Sequence, residues 1–170
     1  MDVAGLDLSM TGTGVATSVT SLMTVGIIRP QGTGDQRLAQ IAHRVLSRCA
    51  GCELVLIEGY LNHSHTAGIT GMVHGAVRTA LIEAKIQYAT LPPTSLKKFA
   101  TGRGNADKTA MAVAALKRDG MEFKDDNQCD AWWLMVAALA YTGTWLFDLP
   151  TANRSALDKI KIEYQGSVQL

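Results

Sequence analysis

The sequence predicts a single α/β domain built on a mixed β-sheet flanked by α-helices, with a three-strand antiparallel meander followed by parallel strands. Three observations predict it. The first thirty residues hold three apolar runs separated by tight turns of small and hydroxyl residues. Two later apolar runs, Leu54–Ile57 and Ile86–Leu91, alternate with stretches of helical periodicity. A length of 170 residues suits one core, since domains commonly run about 100–150 residues.

The elements follow in order. Val3 to Ala16 (VAGLDLSMTGTGVA) reads as two strands joined by a turn, and Leu22–Arg29 as a third strand closed by Pro30. Asp35 is placed to cap a helix through about Cys49, with Leu38, Ile41, Ala42, Val45 and Leu46 on one face. Leu54–Ile57 is short and wholly apolar, suited to a sheet centre, and ends in Glu58-Gly59-Tyr60. Thr66–Lys85 has helical periodicity and one bare face of Gly68, Gly71 and Gly75, which permits close approach of another backbone. Pro92-Pro93 stop the strand from Ile86, and Thr94 is set to cap a short helix through Phe99. The polar loop TGRGNADK leads into a helix over about 106–118, and Asp125 or Asp126 caps an apolar helix to about Tyr141. A short helix around Arg154–Ile162 is expected in the tail.

Composition narrows the function classes. No apolar run reaches the roughly 20 residues of a membrane span, and no basic segment precedes an apolar one at the start, so a cytoplasmic chain without a membrane partner is expected. Three cysteines (Cys49, Cys52 and Cys129) cannot all pair. Cys49 and Cys52 form a C-x-x-C without a second ligand pair, so packing at a helix-to-strand junction is expected rather than zinc or redox chemistry. A net charge of +1 argues neither for nor against a nucleic-acid partner.

The acids are more telling. Asp7 interrupts an apolar strand, where an unpaired carboxylate is costly. Glu58 sits at the C-terminal end of another, the end at which open α/β sheets bind ligands. If the two strands are neighbours, the two carboxylates repel unless a proton or cation lies between them. In the run Asp125-Asp126-Asn127-Gln128-Cys129-Asp130, positions 126 and 127 share a helix face with 130. Oxygen ligands from two strands and a helix suit Mg²⁺ or Mn²⁺, either as a pair of ions that activates water for phosphodiester hydrolysis or as a single structural cation.

The segments GLDLSMTGTGVA, VLIEGYL, PPTSLKKFATGRGNADK and DDNQCDAWWLMVAAL, over residues 3 to about 143, resemble in order and spacing the RuvC-like Holliday junction resolvases of the RNase H-like superfamily. Within that family they look most like the phage and prophage enzymes. The resemblance implies an RNase H-like nuclease domain at 1–143, with 144–170 an extension packed on it or on a dimer interface. It implies a Mg²⁺-dependent homodimeric endonuclease that nicks branched DNA, four-way junctions foremost, and leaves 5′ phosphates. Carried over by position, Asp7, Glu58 and Asp130 match the family's metal-binding acids, around two divalent ions per site with Mn²⁺ as a substitute. The family's fourth ligand position falls on Asn127 here; Asp126 is the expected ligand, because a carboxylate binds Mg²⁺ better than an amide, with Asn127 as a contributor. Lys108 corresponds to a lysine beside the scissile phosphate.

Lys97, Lys98, Arg103 and Lys108, with Asn105 among them, form a basic stretch for phosphate contacts, and Gly102 and Gly104 allow a close backbone approach. Tyr60 is placed either to stack on a splayed base or to pack in the core, while His63 and His65 face DNA or solvent. Trp132, Trp133 and Trp145 are assigned to packing. The other readings are a junction-binding protein without catalysis and an RNase H-like nuclease for other branched DNA or RNA. An actin-like kinase, suggested by the first turn alone, would need a second domain and a second phosphate loop.

Overall fold

The computed structural model describes residues 1–59 and 67–166. Strands β1 (Val3–Asp7), β2 (Thr13–Val19) and β3 (Leu22–Ile28) form the antiparallel meander, with Asp7 opposite Gly14 and Thr13 opposite Ile28. The β2–β3 turn has Thr20 and Ser21 at φ 49° and 66°, and the Thr20 N–H donates to Asp2 Oδ1 at 2.9 Å. Strand β4 (Leu54–Glu58) runs parallel to β1, and β5 (Gln87–Leu91) parallel to β4. Strand β6 (Lys161–Tyr164) closes the far edge antiparallel to β5, giving the order β3-β2-β1-β4-β5-β6.

That last strand departs from the expected tail helix. The chain makes α6 (Thr151–Arg154), a 3-10 turn (Ser155–Lys159) and then β6. Lys161-Ile162-Glu163-Tyr164 alternates with period two. Ile162 packs on the core, and the Tyr164 ring stacks on Tyr88 with centroids 6.3 Å apart. An open β5 edge offers backbone partners that a four-residue helix end lacks.

Helices cover both faces of the sheet, one layer on one side and two on the other. Strand alternation sends Ala4, Leu6, Val55 and Ile57 to one face, where α1 (Gly34–Arg48) and α2 (Ala67–Glu83) bury Ile41, Val45, Val73, Val77 and Leu81. Val3, Ala16, Leu54 and Leu56 point to the other face, under α5 (Asp126–Tyr141). Helix α5 is buried from Ala131 to Ala140, between the sheet and a layer made by α3 (Pro93–Thr101), α4 (Lys108–Asp119) and residues 146–160. A helix enclosed in this way must be apolar all round. Trp133 packs edge-on to Phe99 at 6.0 Å, and its Nε1–H donates to the Met111 carbonyl at 3.2 Å. Trp132 lies between Phe123 and Phe147. Trp145 differs from expectation: it is 41% exposed, with the Arg154 guanidinium 4.9 Å above its ring.

Helix starts sharpen the sequence reading. Thr33 occupies the N-cap position of α1, with Asp35 in the first turn. Pro92 precedes α3, which begins at Pro93 rather than being capped by Thr94. Asp107 caps α4 by accepting from the Ala110 N–H at 2.7 Å, and Asp125 caps α5 by accepting from the Asn127 N–H at 2.9 Å. All three cysteines are free and buried, and burial pushes the Cys52 thiol up to about 11. No helix among the described residues is long and apolar enough to cross a membrane.

Candidate active site

Asp7 is the last residue of β1 and Glu58 the last of β4. The strands are parallel, with Leu6 beside Ile57, so the two carboxyl-bearing residues end the strands side by side. Parity decides their face. Val3 and Gly5 of β1, and Leu54 and Leu56 of β4, lie against the α5 layer, and the next alternate positions are 7 and 58. Helix α5 brings the third acid. A Cβ on Gly5 would stand 2.2 Å from the Ala131 carbonyl oxygen and 2.3 Å from the Met135 nitrogen; one on Gly14 would stand 2.0 Å from the Asn127 carbonyl oxygen. Two glycines thus let α5 lie backbone to backbone on β1 and β2, with Asp130 beside the strand ends.

The electrostatics show that the three acids share one field. Burial, then the Asp130 charge, push the Asp7 carboxyl up to about 7, with Asp125 adding and Lys108 opposing. Burial raises Glu58 to about 8, aided by Asp7 and Asp130 and opposed by Lys97 and Lys108. Asp130 is raised by burial, and Lys108 and Lys97 pull it down. Lys97 on α3 and Lys108 at the start of α4 are therefore the cations over the acids.

The donor chemistry fits a divalent cation, since three partly desolvated carboxylates with raised affinity for protons want positive charge between them. They do not form a closed cage: among the described residues, no group of three His, Cys, Asp or Glu side chains is arranged to hold an ion. The two candidates for a fourth ligand have different partners. Asp126 forms an ion pair with Lys108. Asn127 faces the sheet and donates its Nδ2–H to the Gly12 carbonyl at 2.6 Å, tying the β1–β2 turn to the first turn of α5.

Asp125 was legible in sequence only as a cap. It also pairs with Arg29 at 3.1 Å and adds its charge to the field at Asp7. The positioning roles of Gly5 and Gly14 were signalled by glycines inside strands, though not their partner.

Lys98 lies half-buried on α3, while Arg103 and Asn105 are exposed on the loop to α4. The glycines of that loop serve the fold itself. Gly102 ends α3 in a left-handed conformation (φ 83°), and a Cβ on Gly104 would sit 3.1 Å from the Thr94 carbonyl oxygen. Tyr60, Leu61, His63 and His65 fall outside the described residues.

No protein-family model matches the chain, and no curated protein matches it in sequence. Solved structures do match. Thermus thermophilus RuvC is 25% identical, with a TM-score of 0.69 over 85% of this chain and 98% of that one. T. thermophilus RuvC in complex with a Holliday junction substrate is 22% identical, with a TM-score of 0.70 over 95% of this chain and 99% of that one. The mixed sheet with its antiparallel meander and parallel strands, flanked by helices, is thus a RuvC-like, RNase H-like fold, structurally similar to a Holliday junction resolvase.

Proposed function

We propose that this chain is a divalent-metal-dependent endonuclease that hydrolyses phosphodiester bonds in branched DNA, four-way junctions foremost, as a cytoplasmic homodimer of the phage or prophage type. The observation that most supports the reading is that Asp7 and Glu58 end adjacent parallel strands on the face where α5, with Asp130, lies close against β1 and β2, with the charges of Lys97 and Lys108 opposing theirs. The likeness to a RuvC crystallised with a Holliday junction supports the choice of substrate.

Asp7, Glu58 and Asp130 would hold Mg²⁺, or Mn²⁺ in its place, two ions per site, with Asp126 or Asn127 as the fourth ligand. When bound, such ions acidify the attacking water and offset charge on the departing 3′ oxygen, leaving a 5′ phosphate. The chain's own groups do the rest. Lys108 gives up its ion pair with Asp126 to hold the scissile phosphate, an inexpensive exchange because the two side chains are 68% and 44% exposed. Lys97 counters the acids from α3, Lys98, Arg103 and Asn105 steady neighbouring phosphates, and Tyr60 meets the unpaired centre of the junction. Residues 1–143 form the nuclease domain, and 144–170 an extension on it.

A two-site cut needs two subunits, and α2 is the proposed contact. Ile69 and Met72 on this helix are 53% and 50% exposed, and Gly68, Gly71 and Gly75 have open space where a side chain would be. The test is direct: with Mg²⁺ the purified protein should nick a synthetic four-way junction, and Asp7→Asn should bind it without cutting. Undiminished cutting by Asp7→Asn would overturn the reading. Forks, flaps and RNA–DNA hybrids in the same assay separate junction resolution from broader RNase H-like activity. The bond from Asn127 to Gly12 and the Lys108–Asp126 pair favour one alternative, a non-catalytic junction-binding protein, which would bind with or without Mg²⁺ and never cut.

A further inference from the structure

Beyond the acids, α3 and α4 line a groove of about 420 Å³, of which the catalytic reading uses only Arg103, at one rim. Its α4 wall is Ala110, Val113, Ala114 and Lys117, at i, i+3, i+4 and i+7, which places them on one face of the helix. The alanines give it depth. Its rims are cationic: Arg103 on one side, Lys117 and Arg118 on the other, with no carboxylate in the lining. Both rims are held. The Thr101 hydroxyl donates to the Lys97 carbonyl at 2.8 Å and accepts from the Arg103 N–H at 3.2 Å. The Arg118 guanidinium lies 5.9 Å from the centre of the Phe147 ring. None of the three cations has an ion-pair partner among the described residues.

We infer that this groove seats the sugar–phosphate backbone of a duplex DNA arm leading away from the cut, an inference that rests on the nuclease reading for its substrate. A concave, alanine-floored channel whose rim cations carry no carboxylate partner among the described residues matches a polyanion, which such contacts bind without reading sequence. Its place on the helix fits. Lys117 follows Lys108 by nine residues of α4, about 13 Å at a rise of ~1.5 Å per residue, or about four base-pair steps of a duplex at ~3.4 Å each. One helix thus spans from the scissile phosphate to the arm.

The experiment measures binding of the full-length protein to a synthetic four-way junction with Mg²⁺ replaced by Ca²⁺, as a function of salt. Removing both charges in Lys117→Gln/Arg118→Gln should flatten the slope of log K against log salt by about 2 and weaken low-salt binding roughly 10- to 100-fold. Ala114→Leu, which fills the channel but keeps every charge, should weaken binding several-fold, and Ala110→Leu substitutes for it if that variant fails to fold. Lys85→Gln, at the opposite end of the sheet, is the charge control. A double variant no different from Lys85→Gln overturns the groove, and so does a filled channel that binds like wild type, since the charges would then act only at a distance. Wild type that binds here but never cuts in the Mg²⁺ nicking assay defeats the nuclease reading alone; wild type that cuts in that assay, with both groove variants binding normally, defeats the groove alone. Wild type that binds no junction defeats both.

Discussion

At the scale of single residues, Asp7 holds the most consequential charge in the molecule. Its carboxyl, raised by burial and by Asp130 to about 7, holds its proton more tightly folded than unfolded. Glu58, raised to about 8, does the same. Stability from both groups is therefore fully present below about pH 4 and lost as pH rises through 7–8, at about 1.4 kcal/mol per pKa unit. Without divalent cations, Asp7→Asn should melt higher than wild type at pH 8 and the gap should narrow by pH 5, which thermal scans at the two pH values would show. Adding Mg²⁺ should raise the wild-type melting temperature at pH 8 and leave Asp7→Asn little changed. A gap that widens toward low pH would mean the acids are not crowded in solution. Lys108 belongs to the same cluster. Lys108→Ala should cut about 10²-fold more slowly, the size of effect seen when one group stabilising transition-state charge is removed, while junction affinity falls much less.

Among the elements, α5 does the positioning. Its backbone rests on Gly5 and Gly14, where a Cβ would come within 2.0–2.2 Å of main-chain oxygens. Main chain cannot yield as a side-chain tip can, so Gly14→Ala should cost at least about 3 kcal/mol in urea unfolding, the top of the usual range for overpacking. Cutting should fall even where the variant folds, because Asp130 rides on the displaced helix. Gly71 on α2 is the opposite case. A side chain there meets nothing within 4 Å, so Gly71→Ala should stabilise the subunit by about 0.5–1 kcal/mol through helix propensity. A neutral Gly14→Ala would mean that the helix–sheet contact is not the close one described.

For the whole molecule, the proposed homodimer uses the exposed apolar face of α2, so Met72→Lys should shift sedimentation toward the monomer. A wild-type monomer at micromolar concentration would count against symmetric cutting. Much of this architecture was legible in the chain, because strand alternation and helical spacing survive in any sequence that buries one face. The acids at the ends of β1 and β4 stood out because a carboxylate rarely closes an apolar run. What stayed hidden depended on distant partners. Strand β6 exists because β5 has an open edge, a fact no four-residue window holds. Asp126 and Asn127 lie within one turn of each other, and spacing cannot tell that Asn127 meets Gly12 while Asp126 meets Lys108. Gly5 and Gly14 were visible as strand glycines, but their purpose needed the path of α5. The most direct measurement is a crystal soaked in Mn²⁺ and read by anomalous scattering. The expected result is two peaks within about 2.5 Å of Asp7 carboxylate oxygens, one also beside Glu58 and the other beside Asp130, with residue 126 or 127 turned toward the latter. No peak there, with the three side chains pointing to separate places, would contradict the metal centre and the nuclease with it.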